Sequence, residues 1–136
     1  MKTLLSLMIL LFSAAVSGEI GVVVSNKSEI NNLSSQEVAN IFLGRTNRYP
    51  NGAKSIPVEL RGNNLRSSFY QSISGKTPTQ LSAYWTTLVF TGKGRPPEGY
   101  RDLKDLILSM EQKPESITYL DEEQVTDAMK IVYSFR

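Results

Sequence analysis

The 136-residue chain has no cysteine and no histidine, and its 15 basic and 13 acidic side chains leave a formal charge of +2. Those absences exclude disulfides, thiolate nucleophiles, zinc sites of the usual Cys/His kind and a Ser-His-Asp triad. At 40% hydrophobic and 21% charged residues, the composition is that of one soluble globular domain.

Residues 1–17 read as a secretory leader. Lys2 is the positive start, Leu4–Phe12 is a short apolar run, and Ala15-Val16-Ser17 is a small-residue cleavage site before Gly18. The run is too short for a membrane span, which needs about 20 residues. The expected mature chain is therefore Gly18–Arg136, exported and soluble, with no cysteine available for lipid attachment. Its charge is uneven: Arg45–Lys104 holds ten basic and three acidic residues, whereas Asp105–Arg136 holds three basic and seven acidic. A basic middle fits an anionic ligand or an acidic partner, or else scattered solvated charge.

Ile20–Ser25 (IGVVVS) is a continuous β-branched run, the pattern of a strand buried on both faces of a parallel sheet. Ser34 and Glu37 form a capping box, followed by the apolar stripe Val38, Ile41, Phe42 and a terminating Gly44. Ser55–Leu60 predicts a second strand in which Pro57 marks an edge or a strand start. A helix over Asn63–Ser74 presents Leu65, Phe69 and Ile73 on one face. Thr77-Pro78-Thr79-Gln80 starts another, continued by Leu81, Trp85 and Leu88. Tyr84-Trp85 reads as core and rim packing. Thr91–Gly99 is a Gly/Pro-rich loop; its Gly92-Lys93-Gly94-Arg95 lacks P-loop spacing and reads as a flexible surface segment. A last helix around Leu103–Met110, an acidic start at Asp121-Glu122-Glu123 and short strands at Ser116–Leu120 and Met129–Phe135 close the chain. The pattern predicts a single α/β domain with a mainly parallel sheet flanked by helices.

Several of these pieces together resemble the phosphate-binding members of the type 2 periplasmic-binding-protein superfamily. They are the first strand followed by Asn32-Leu33-Ser34, the helix ending Ile41-Phe42-Leu43-Gly44-Arg45, Pro57-Val58 leading to Arg61, Tyr84-Trp85, and Ser116-Ile117-Thr118-Tyr119-Leu120. The resemblance implies the fold of one lobe; transport receptors of the family close two lobes on their ligand, and the mature chain has length for only one. It further implies a non-enzymatic, cofactor-free binding protein of the periplasm or cell exterior. Its oxyanion would sit where the strand gives way to a helix, at Arg61, Gly62, Asn63, Asn64, Arg66 and Ser67. Free N–H groups at a helix start and a guanidinium suit such an anion. The family's Ser-Gly-Thr run is absent, and Asn63-Asn64 stands in its place. Alternatively Asn63 or Asn64 only caps the helix and Arg61 pairs with a carboxylate.

No carboxylate pair suggests acid/base chemistry, and no dense basic stripe suggests nucleic acid. An anion on one open face stays in water, where a charge contact is worth roughly 1 kcal/mol. Phosphate binding would then be weak, or completed by a second copy or an envelope protein. The alternative is an envelope interaction module that kept the fold and lost the ligand.

Overall fold

The computed structural model describes residues 19–62 and 64–135. The expected leader at 1–17 and Asn63 lie outside the described residues.

The β-branched run Ile20–Ser25 forms strand β1, buried along its whole length. The other strands are β2 (Ile56–Leu60), β3 (Glu98–Tyr100), β4 (Ser116–Asp121) and β5 (Met129–Phe135), in the sheet order β3-β2-β4-β1-β5. β2 is parallel to β3 and β4, while β1 is antiparallel to both β4 and β5. Four strands therefore point one way, as the mainly parallel expectation holds, and β1 runs against them. The continuous apolar run encodes burial on both faces, and that burial does not depend on the direction of the neighbours.

Helices α1 (Ser35–Phe42), α2 (Leu65–Ser74) and α3 (Pro78–Phe90) cover one face of the sheet, and α4 (Leu103–Gln112) covers the other. Alternation along the strands divides the core accordingly. Val22, Val24, Ile117 and Tyr119 pack with Val38, Phe42, Phe69 and Trp85, whereas Val23, Val58, Leu60 and Leu120 pack with Leu106 and Met110. Both expected capping boxes form. Ser34 Oγ accepts from Glu37 N at 3.1 Å while Ser34 N donates to Glu37 Oε1 at 2.9 Å. Thr77 and Gln80 reciprocate in the same way at α3.

Two details depart from the sequence expectations. The loop after α3 contains a three-residue strand, β3, on the sheet edge. The acidic run makes only a 3-10 turn over Glu122–Gln124, held by Asp121 Oδ1 accepting from Glu123 N and by Ser134 Oγ donating to Glu122 Oε1 at 2.7 Å. Pro57 fits its place by direction. Ile56 N donates to Glu115 O across the β4 side, so Pro57 faces β3, whose pairing begins only at Val58.

Burial raises the pKa of three tyrosines, Tyr49, Tyr70 and Tyr119, above their usual 10.0; nearby Glu115 reinforces this at Tyr49 and Glu59 at the other two. The folded state thus binds protons that the unfolded chain releases. Stability is unaffected below about pH 10 and is expected to fall above it, by roughly 1.4 kcal/mol per pH unit for each such tyrosine. Urea titrations from pH 8 to 11 check this, and Tyr49→Phe should flatten the alkaline slope.

Candidate functional site

Arg61 leaves the end of β2 on the face covered by α1–α3, and its backbone N–H donates to Tyr100 O at 2.7 Å. Its side chain folds sideways across β3. Gly99 makes this passage possible: a Cβ there would stand 2.1 Å from Arg61 Nε. The guanidinium stem is thereby laid toward the loop after α3, where Arg61, Lys93 and Arg95 line one open cleft of about 740 Å³. Glu98 is the single carboxylate on its wall. Among the described residues the ion pair found is Arg66–Glu59, so no carboxylate lies within 4.0 Å of Arg61, Lys93 or Arg95.

Gly62 has φ 78°, which opens the turn into α2 and favours glycine. Asn64 precedes the helix in a right-handed conformation and makes no side-chain capping bond. The capping alternative for Asn64 is therefore not realised. Ser67 is exposed on that first turn. Asn63 lies outside the described residues.

Arg66 is placed elsewhere. Its Nε is 3.4 Å from Glu59 Oε1, and its guanidinium lies 5.2 Å from the centre of the Tyr70 ring. Glu59 is 7% exposed, and its second oxygen accepts from Tyr119 Oη at 2.9 Å. Arg66 thus balances a buried carboxylate and faces a neighbouring cleft beside Trp85, Val89 and Phe90. The structure brings Arg61 together with two cations that the sequence reading assigned to a surface loop, and it sets Arg66 apart from them.

The loop itself is anchored. A Cβ on Gly94 would stand 3.1 Å from Leu88 Cδ2 and 3.9 Å from Gly44 O, so glycine lets it lie against both α3 and the end of α1. Lys93 N donates to Leu88 O at 2.9 Å. The glycines of Gly92-Lys93-Gly94-Arg95 permit this approach, but their spacing alone does not name the neighbour. Trp85 and Tyr84 pack as expected: Trp85 is 5% exposed, and Tyr84 Oη donates to Leu43 O.

The Gly99 passage makes a direct prediction. Gly99→Ala should displace the Arg61 side chain, and weaken severalfold any anion binding that uses it, while changing stability by less than about 1 kcal/mol, because a flexible side chain gives way. A phosphate titration beside a urea melt separates the two effects.

Set against solved structures, the chain has the fold of one half of a larger class of binding proteins. It superposes on a protein of Clostridium perfringens, described as a phosphate ABC transporter substrate-binding protein and crystallised with phosphate, at a TM-score of 0.63 and 13% identity. An ABC-type phosphate transport receptor from Vibrio cholerae gives 0.63 and 12%, and PstS from Borrelia burgdorferi gives 0.58 and 14%. Each match covers 85% of this chain but only 45%, 46% and 47% of the respective relative. The chain therefore spans less than half the length of the structures it matches, and its fold corresponds to one lobe of a PstS-like protein. No family model matches the sequence, and no curated protein matches it.

Proposed function

We propose that the chain is an exported, non-enzymatic binding protein that takes phosphate or a similar oxyanion on the open face at Arg61. The carrying observation is the cleft in which Arg61, laid across Gly99, meets Lys93 and Arg95 with no carboxylate paired to any of them among the described residues. The adjoining turn at Gly62 and Asn64 and the first turn of α2, with Ser67, offer further donors. The fold of phosphate-binding relatives supports this reading of the ligand. Among the described residues no helix is long and apolar enough to cross a membrane. Because the face is open, affinity is expected around the millimolar range, about −4 kcal/mol.

Thermal unfolding of Gly18–Arg136 with phosphate, sulfate and chloride at matched ionic strength tests it. A ligand that binds only the folded state raises its melting temperature by mass action. A saturable, phosphate-selective rise that Arg61→Ala removes is the expected result. A response identical for all three salts would defeat the reading.

A second reading is favoured by one feature. Phe90 is 91% exposed and Val89 53% exposed at the end of α3, beside the Trp85 cleft of about 520 Å³. Apolar groups so exposed suit contact with an envelope protein or a second copy. Crosslinking in envelope extract should then yield a defined product that Phe90→Ser abolishes, with phosphate having no effect on stability.

A further inference from the structure

A second cleft of about 580 Å³ lies on the other side of the Lys93–Gly94–Arg95 segment, bounded by the turn after α1 and by the start of β2. It exists because β3 begins to pair only at Val58, which leaves Pro57 uncovered at the edge of the sheet. Arg45, Lys93 and Arg95 all line it, and no carboxylate does. None of the three cations has an acidic partner within 4.0 Å among the described residues. Ser55, 4% exposed, lines the same cleft, and its hydroxyl has no hydrogen-bond partner among the described residues. A buried hydroxyl without a partner is costly unless something supplies one.

The end of a helix is ordinarily a poor place for an anion, because its free carbonyls repel negative charge. Here most of those carbonyls are occupied. Ala39 O accepts from Leu43 N, Asn40 O from both Arg45 N and Thr46 N, Ile41 O from Gly44 N, and Leu43 O from Tyr84 Oη. The walls are also held in place. Ser55 N donates to Asn47 O at 2.9 Å, and the 45–55 segment is hooked to the body by Tyr49 Oη donating to Glu115 O at 2.7 Å. The cations consequently project from a fixed frame.

We propose that this cleft is a second anion site, separate from the one at Arg61, and that its ligand is an organic phosphate. Guanidinium forks match phosphoryl oxygens in pairs, and three cations outweigh a phosphomonoester dianion. The volume lies within the roughly 300–1,000 Å³ of small-molecule sites, which leaves room for an organic substituent beside the phosphoryl group. Lys93 and Arg95 border both clefts, so occupancy of one changes the field at the other.

Amide-resolved NMR titration of Gly18–Arg136 tests this, with glucose 6-phosphate, inorganic phosphate and glucose at matched ionic strength. Glucose 6-phosphate should shift the amides of Arg45–Asn47 and Ser55 saturably, more tightly than inorganic phosphate. Arg45→Ala should weaken that binding by about tenfold or more, while Arg61→Ala leaves it in place. Arg45 is exposed, so its truncation spares the core. Four results would overturn the proposal. They are shifts confined to Gly62 and Asn64, an equal response to glucose, equal affinity for inorganic phosphate, or binding indifferent to Arg45→Ala. A phosphate response at Gly62 and Asn64 that Arg61→Ala leaves unchanged would instead defeat the first site and leave this one standing.

Discussion

Phe69→Ala is expected to cost about 3–5 kcal/mol, the range for removing a buried aromatic ring. Phe69 is fully buried at the hub of the larger core half. Its ring stacks on Tyr119 at 3.8 Å and 12°, and meets Phe42, Tyr70 and Phe135 edge-on at 4.9, 5.3 and 5.7 Å. These partners come from α1, α2, β4 and β5, so one truncation loosens four elements at once. A domain of this size has roughly 5–15 kcal/mol in total, and the loss should appear as a large drop in urea midpoint. Phe69→Leu keeps most of the apolar area and removes the ring contacts, worth about 0.5–1.5 kcal/mol each. It should fall between wild type and Phe69→Ala. Equal midpoints for Phe69→Leu and wild type would mean that the ring geometry contributes nothing.

The second large effect is expected at Glu59. Glu59→Ala strands the Tyr119 hydroxyl inside the core, which costs about 1–3 kcal/mol. The ion pair with Arg66 adds little to this, because its 3.4 Å separation is long and the Arg66 side chain is 43% exposed to screening water. Glu59→Gln preserves an acceptor for Tyr119 and should stay within about 1 kcal/mol of wild type. If Glu59→Gln proved as damaging as Glu59→Ala, the carboxylate charge and not the hydrogen bond would be the stabilising element. Chemical denaturation of the two variants beside Arg66→Ala separates the contributions.

Local signals were legible where they were complete within one segment. The boxes Ser34/Glu37 and Thr77/Gln80, the stripe Val38-Ile41-Phe42 and the run Ile20–Ser25 each carry their own instruction, and each element forms where expected. What stayed hidden depends on partners distant in the chain. The direction of β1 is decided by strands about 100 residues later, and nothing in its own residues encodes it. β3 is three residues long inside a Gly/Pro-rich loop, too short to show a period. Glu59 sits in the sequence Ile-Pro-Val-Glu-Leu, where an acidic residue reads as the solvent face of a half-buried strand; helices on both sides of the sheet make that face interior.

For the candidate site, Arg61 and the Gly62 turn could be picked out because a strand, an arginine and a glycine-led helix start are contiguous. Lys93 and Arg95 could not, since their approach to Arg61 depends on Gly99 clearing a path across β3 and on Gly94 resting against α1. The engagement of Arg66 by Glu59 was hidden for the same reason: the two residues are seven apart, in a strand and a helix whose relative placement only the fold provides.

The position of β1 has a consequence for how the molecule comes into being. Val22, Val23 and Val24 are wholly buried, yet both strands that flank them lie near the other end of the chain. A chain emerging in order therefore exposes this apolar strand until β4 and β5 have followed it, and loops of about 100 residues must close before it pairs. Such long-range closure slows folding.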